Sequence, residues 1–79
     1  MSEERYNAEI KAFGERVAEL RKERKWVQLD LEMETGINRE SISRIENGNK
    51  NVEFMTIVKL AEAFEVELAD LFTKGKPKK

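Results

Sequence analysis

Cysteine and histidine are both missing from this sequence of 79 residues. Without cysteine the chain can form neither a disulfide framework nor a thiolate metal site. Without histidine it lacks the side chain that most often serves as a general acid, general base or metal ligand near neutral pH. No glycine-rich phosphate-binding loop is found either. We therefore expect a protein that is not an enzyme and that binds no metal and no cofactor.

Long apolar runs are also lacking, and the longest is far short of the 18 or more residues of a membrane span. The first residues are polar and acidic, unlike a signal peptide, so we expect a cytoplasmic protein without a membrane partner. The 15 basic and 16 acidic residues give a net charge of −1. This balance produces no overall attraction to nucleic acid, and any such binding must come from local charge.

Helix-breaking residues are scarce, with one proline and four glycines, and no long stretch alternates between polar and apolar residues as a strand does. Apolar residues at spacings of three and four predict a first amphipathic helix over about 7–25, with Gly14 as a tolerated weak point. The sequence predicts an all-α fold of five helices. The other four helices are predicted at about 28–35, 39–47, 54–64 and 68–72. We expect a single domain over 1–73 and a basic, flexible tail over 74–79.

The segment 28–47 has the organisation of a helix-turn-helix. A short helix begins at Gln28, Gly36 is placed to end it in the left-handed conformation, and Asn38 is a suitable N-cap for the next helix. In such a unit the second helix can enter the major groove of DNA.

The second helix of this unit has two chemically different sides. At 100° per residue, Arg39, Ser43 and Arg44 fall within an arc of about 140°, whereas Ile42 and Ile45 fall on the opposite side. Arginine can contact guanine O6 and N7, and glutamate, here Glu40, can accept from cytosine N4. The alternative interpretation is an ordinary solvated face.

Three stretches carry a family resemblance: Gln-Leu-Asp-Leu-Glu at 28–32, Thr-Gly-Ile-Asn-Arg at 35–39, and Ser-Ile-Ser-Arg-Ile-Glu-Asn-Gly at 41–48. They resemble the Cro/phage-repressor (xenobiotic-response-element) helix-turn-helix family, and the resemblance extends over about 10–72. Among its members, the chain is most similar to small stand-alone proteins such as restriction-modification controller proteins. The resemblance implies a lambda-repressor-like domain of five helices that binds double-stranded DNA.

The resemblance also implies roles for individual residues. The base-reading positions are Arg39, Glu40, Ser43 and Arg44. The positions expected to contact phosphate are Gln28, Asn47, Lys50 and Asn51. Arg21 and Glu46 match a structural ion pair of the family.

This sequence departs from the family pattern at three positions. Glu32 stands where the family has a small residue, and its side chain must swing outward or find a partner. Val27 replaces the usual Ser or Thr cap, which weakens the start of the second helix by about 1 kcal/mol. Glu40 places a negative charge on the face expected to meet DNA.

Basic residues cluster just before the second helix, at Arg21, Lys22, Arg24 and Lys25. They could lie near a passing DNA strand, or they could simply be the cations that stabilise a helix C-terminus.

These observations favour a sequence-specific transcriptional regulator that binds DNA. One recognition helix reads few base pairs, so we expect a homodimer on a palindromic operator, with half-sites about 34 Å apart. The expected dimer surface comprises Phe64, Val66, Leu68 and Phe72. The alternative is a protein-interaction module on the same fold, for example antitoxin-like, with little sequence-specific DNA binding. Whether a toxin or RNA polymerase is a further partner is left open.

Overall fold

The computed structural model describes residues 2–73, and within them the chain is helical without strands. The α-helices are α1 (Glu3–Glu23), α2 (Gln28–Thr35), α3 (Arg39–Glu46) and α4 (Phe54–Phe64). A short 3-10 helix follows at Leu68–Phe72. The all-α prediction is confirmed, but the fifth predicted helix has 3-10 geometry, which leaves four α-helices in the described part of the chain. The predicted tail, 74–79, lies outside the described residues.

Helix α1 begins about four residues before its predicted start. Ser2 is the N-cap, and its Oγ accepts a hydrogen bond of 3.0 Å from the backbone N of Arg5. Glu3 and Glu4 follow in the first turn, where negative charge is stabilised by the helix dipole. Apolar periodicity could not reveal this turn because its residues are polar and exposed.

The core is a single cluster of buried side chains to which every helix contributes. Its members are at most 6% exposed. They are Phe13, Val17, Leu20, Leu31, Ile42, Ile45, Leu60, Ala61, Phe64 and Leu71. Helix α3 contributes Ile42 and Ile45, so its apolar side is fixed against the core and its polar side must face outward.

Helices α1 and α3 approach each other closely at Gly14. A Cβ atom at this position would lie 2.1 Å from the carbonyl oxygen of Ile45, well inside van der Waals contact. The interpretation of Gly14 as a weak point of α1 is therefore incomplete. Its missing side chain is what lets the backbone of α3 pack directly on α1.

The turn between α2 and α3 is held by short polar contacts. Gly36 has φ 83°, the left-handed conformation predicted for it, and its N donates to the carbonyl oxygen of Glu32 at 2.7 Å. Asn38 Oδ1 accepts from Ser41 N at 2.8 Å, as expected of an N-cap. At the start of α2, Val27 has no side-chain cap, but its N donates to Asp30 Oδ2 at 2.8 Å, which is the half of a capping box that needs no acceptor on the N-cap side chain.

Candidate nucleic-acid interface

Helix α3 presents its polar side to solvent. Arg39, Glu40 and Arg44 are exposed and Ser43 is partly buried, whereas Ile42 and Ile45 are almost fully buried. The four predicted base-reading side chains therefore lie on the outward half of one helix. Their specific roles stay predictions, but the fold leaves this side of the helix open to a partner as large as double-stranded DNA.

A shallow depression lies between α2 and α3 on this same side. It is lined by Gln28, Glu32, Asn38, Arg39, Glu40 and Ser43. The depression brings predicted base-reading and phosphate-contacting residues of two helices onto one continuous surface.

Arg21 and Glu46 form a two-pronged ion pair beneath this surface. Arg21 Nε lies 2.7 Å from Glu46 Oε2, and Nη2 lies 3.0 Å from Oε1. Both side chains are largely buried, at 11% and 7% exposure. The hydrogen bonds that Arg21 donates to Glu46 raise the pKa of Arg21, against the opposing effect of burial. Arg21 also donates from Nη1 to the carbonyl oxygen of Trp26 at 2.7 Å, which ties α1 to the segment that leads into α2.

Gln28 is connected to this pair. Its Nε2 donates to Glu46 Oε1 at 3.1 Å, so one of its two amide protons is directed at the carboxylate. The side chain is partly buried at the first turn of α2, where backbone amides and the helix dipole favour an anion. The hydrogen bond to Glu46 fixes the side chain of Gln28 and leaves its second amide proton for the predicted phosphate contact.

The loop after α3 carries the other predicted phosphate contacts. Asn47 and Asn51 are exposed and Lys50 is partly buried. Gly48 has φ 72°, and a Cβ there would lie 2.9 Å from Lys11 Cα, so this loop packs closely on α1. Asn49 N donates to the carbonyl oxygen of Arg44 at 2.9 Å, which keeps the loop against the end of α3.

The side chain of Glu32 has a hydrogen-bond partner at the start of α3. Its Oε1 accepts a hydrogen bond of 3.1 Å from the backbone N of Arg39, the first residue of α3. Sequence reasoning required Glu32 to swing outward or pair, but it did not identify this amide. The available signal was an acidic residue about one turn before the end of a short helix, followed after a glycine turn by the unsatisfied amides that begin the next helix.

Two arginines have structural roles that the sequence did not reveal. Arg24, included in the basic cluster, donates to the carbonyl oxygens of Leu20 and Phe64, and its guanidinium lies 5.1 Å from the Phe64 ring centroid. Arg16 is buried, and its Nε donates to the carbonyl oxygen of Asp70 at 2.7 Å. Arg21 and Arg24 thus serve internal contacts, which leaves Lys22 and Lys25 as the exposed members of the cluster.

The predicted dimer surface needs one correction. Phe64 is fully buried in the monomer core, where its ring lies 6.0 Å from the Trp26 ring, so it is not available to a partner. Val66 is partly buried, Leu68 is 37% exposed and Phe72 is 61% exposed. The ring of Phe64, the last residue of α4, fills part of the core. Its position in the sequence alone could not show whether it would be buried or exposed.

No helix in residues 2–73 is both long enough and apolar enough to cross a membrane.

The buried side of α3, its outward polar side and its fixed connection to α2 define a helix-turn-helix domain of the type that binds DNA. The helix-turn-helix domain family model matches residues 14–76, and the chain belongs to this family of transcriptional regulators. Membership also confirms the prediction that the protein is not an enzyme.

Individual relatives are consistent with this assignment. The chain is 41% identical over 67 residues to the HTH-type transcriptional repressor RghR of Bacillus subtilis, matching 84% of this chain and 50% of that protein. It therefore spans about half the length of RghR. It is 32% identical over 63 residues to the HTH-type transcriptional regulator y4dJ of Sinorhizobium fredii, matching 80% of this chain and 82% of that protein.

A solved structure shows the same fold. The restriction-modification controller protein C.AhdI from Aeromonas hydrophila is 35% identical and superimposes with a TM-score of 0.80. The match covers 82% of this chain and 98% of that chain. The predicted resemblance to Cro-type helix-turn-helix proteins, and to controller proteins in particular, is confirmed.

Proposed function

We propose that this protein is a sequence-specific transcriptional regulator that binds a palindromic operator as a homodimer, with α3 in the major groove. The observation that carries the proposal is the division of α3 into a buried apolar side and an outward side bearing Arg39, Glu40, Ser43 and Arg44. A surface of this kind, held by a helix-turn-helix, is suited to base edges.

The chemistry of the outward side supports direct reading of sequence. Arg39 and Arg44 can each donate two hydrogen bonds to a guanine, Glu40 can accept from the amino group of a cytosine, and Ser43 can donate or accept. Within the described residues, no carboxylate lies within ion-pair distance of either arginine. Their guanidinium groups therefore need not lose an internal partner when they meet DNA.

Phosphate contacts would set the position of α3 in the groove. Gln28 lies at the start of α2, and Asn47, Lys50 and Asn51 lie beyond the end of α3. Contacts from two elements beside a recognition helix, the start of α2 and the loop after α3, restrict its tilt and its displacement along the groove. The hydrogen bond to Glu46 and the packing of the loop on α1 hold these two groups at a fixed separation.

A homodimer would supply the specificity that one recognition helix lacks. The monomer measures 35 × 34 × 19 Å, comparable to the spacing of about 34 Å between half-sites one helical turn apart. We assign the dimer surface to Val66, Leu68 and Phe72, apolar residues that begin just after α4. Phe72 and Leu68 expose apolar area that a second copy could cover.

The proposal is tested by selection of random DNA duplexes with the purified protein at near-physiological salt, followed by sequencing. We expect enrichment of a palindrome. The matched control is the variant carrying both Arg39→Ala and Arg44→Ala, in which the changed side chains lie on the exposed side of α3 and the core is intact. It should remain folded by circular dichroism and enrich no sequence.

Absence of any enriched sequence from the folded native protein would contradict the proposal and favour a protein-interaction module on the same fold. A toxin or RNA polymerase would then become the class of partner to test by direct binding.

A further inference from the structure

Glu32 is one of the three residues at which this helix-turn-helix departs from the family pattern, and it lies in α2 beside the recognition helix. Its side chain lies between α2 and α3, where the family has a small residue, and it is partly buried. The carboxylate contacts α3 directly, because Glu32 Oε1 accepts a hydrogen bond of 3.1 Å from the backbone N of Arg39.

The position of this contact matters because the first amides of a helix have no partner inside the helix. In α3, the amide of Ser41 is taken by Asn38 Oδ1 at 2.8 Å, and the amide of Arg39 is taken by Glu32. A carboxylate at this end of α3 is also favoured by the helix dipole. The first turn of the recognition helix is therefore tied to α2 by a side chain that a small residue could not replace.

The same carboxylate lies on the proposed DNA-binding side. Glu32 shares the depression between the helices with Gln28, Arg39 and Ser43. The ion pairs within the described residues are Arg5–Glu9, Arg16–Glu19 and Arg21–Glu46, so no cation neutralises Glu32 at ion-pair distance. An ionised carboxylate accepts hydrogen bonds only, and it repels phosphate.

We propose that Glu32 is a specificity-determining positioning residue. Its tie to the Arg39 amide holds the first turn of α3 at one angle to α2, and so holds Arg39 and Glu40 against particular base pairs. Its negative charge at the same time weakens binding to DNA of any sequence. The hydrogen bond to Arg39 N therefore raises the preference for the operator over other DNA, whereas the charge lowers the affinity for both alike. This inference rests on the proposed function of α3 as a recognition helix.

The two effects of Glu32 can be separated by two substitutions. Glu32→Gln keeps an oxygen that can accept from Arg39 N but removes the charge, whereas Glu32→Ala removes both. Glu34→Gln and Glu34→Ala are the matched controls, because Glu34 is an exposed acid on the same helix and lies outside the depression. Each variant is compared with the native protein by selection of random duplexes and by competition with nonspecific DNA at two salt concentrations.

We expect Glu32→Gln to keep the native base preference while binding nonspecific DNA roughly threefold more tightly, a gain that diminishes at the higher salt. We expect Glu32→Ala to show the same gain and, in addition, to lose base preference by roughly tenfold. That loss should be confined to the base pairs at which Arg39→Ala or Glu40→Ala also loses preference. The Glu34 variants should leave the base preference unchanged.

Amide hydrogen exchange provides a readout that does not depend on DNA. Exchange at the Arg39 amide should accelerate by roughly tenfold in Glu32→Ala and much less in Glu32→Gln, while the Ser41 amide, held by Asn38, keeps its native rate. Unchanged exchange at Arg39 in Glu32→Ala would show that the tie does not exist in solution and would overturn the inference.

The remaining outcomes distinguish this inference from the proposed function. If the native protein selects a sequence and Glu32→Ala selects the same one with equal preference, the inference fails and the proposed function stands. A uniform loss at every base pair in Glu32→Ala would show a merely structural residue and would also overturn it. If the native protein selects nothing, the proposed function fails, and the role of Glu32 in specificity fails with it.

Discussion

Arg39 is the exposed residue that begins α3, and its side chain is free of ion pairs within the described residues. If it contacts one base pair, Arg39→Ala should reduce affinity for the selected operator by about 1–3 kcal/mol and relax preference at that base pair alone. Fluorescence anisotropy with single-base operator variants measures both effects. The control is Arg5→Ala, which removes the same charge from the exposed start of α1. Equal weakening on all DNA would contradict the base-reading role.

Lys50 lies in the loop that follows α3, and the proposed contact there is electrostatic. Lys50→Ala should weaken binding to every sequence by a similar factor, because phosphates carry no sequence information. It should also reduce the slope of log K against log salt by about one unit, since one fewer counterion is released. A salt titration of binding measures this slope. Lys59→Ala, an exposed lysine on α4, is the matched control, and a loss limited to one operator would refute the phosphate contact.

The buried pair of Arg21 and Glu46 makes a prediction about stability. Glu46→Ala would leave a guanidinium buried without its partner, which should reduce the free energy of unfolding by about 3–5 kcal/mol. The pair of substitutions Arg21→Met and Glu46→Leu should cost much less, because no charge is then left unpaired. Urea denaturation compares the two variants. Equal destabilisation by both would mean that shape rather than charge governs this site.

The pKa of Arg21 fixes the pH range over which its part of this stabilisation acts. The pKa of Arg21 in the folded protein is raised above its ordinary value by the hydrogen bonds that it donates to Glu46. A raised pKa contributes stability below the unfolded value and loses it only as the pH rises through the folded value. The contribution of Arg21 is therefore constant around neutral pH, far below the range in which its guanidinium loses its proton.

At the scale of the helices, packing at Gly14 outweighs helix propensity. Alanine is intrinsically favoured over glycine in a helix by about 1 kcal/mol. Gly14→Ala should nevertheless destabilise the protein by about 2–3 kcal/mol, because the new Cβ would collide with the rigid backbone of Ile45 and push α3 off α1. Thermal unfolding should show a melting temperature lower by roughly 10 °C.

Gly36→Ala is the matched control for that experiment. Nothing lies within 4 Å of its would-be Cβ, so its cost is conformational, about 1–2 kcal/mol for a left-handed φ of 83°. A Gly14→Ala protein as stable as the native one would show that α1 and α3 can separate without loss.

The elements that sequence reasoning located well are those with strong local signals. Gly36 and Asn38 mark the ends of α2 and α3 through backbone conformation and capping, which depend on neighbouring residues only. The start of α1 was missed because its first turn is polar, and the 3-10 geometry of 68–72 was missed because periodicity over five residues does not separate the two helix types. The outward residues of α3 followed from periodicity once Ile42 and Ile45 were assigned to the core.

Long-range contacts were beyond that reasoning. The closeness of Gly14 to Ile45, the burial of Phe64 and the bonds from Arg24 to the end of α4 depend on how separate helices are placed. A sequence read along one helix gives the direction of a side chain but not the distance to its neighbours. Family resemblance supplied the pairing of Arg21 with Glu46, which local patterns alone could not provide.

For the whole molecule, the proposed dimer makes a prediction about assembly. Leu68→Glu would place a charge on the surface assigned to the partner, and since Leu68 is already 37% exposed, the monomer should stay folded. Sedimentation should then show a monomer where the native protein is dimeric. Met55→Glu is the control, a charge at a side chain that is 66% exposed on α4 and lies outside the assigned surface. Dissociation by Met55→Glu but not by Leu68→Glu would place the interface at the start of α4 instead.

The same dimer fixes the geometry of the operator. Two recognition helices related by two-fold symmetry reach the same face of DNA only when half-site centres lie about 10–10.5 base pairs, or a multiple, apart. Inserting five base pairs between the selected half-sites would rotate one site to the opposite face and should reduce affinity to that of a single half-site. An insertion of ten restores the facing but not the distance, so it should recover little in a rigid dimer. Gel-shift titration of the three duplexes measures this, and equal affinity for all three would show that the protomers bind DNA independently.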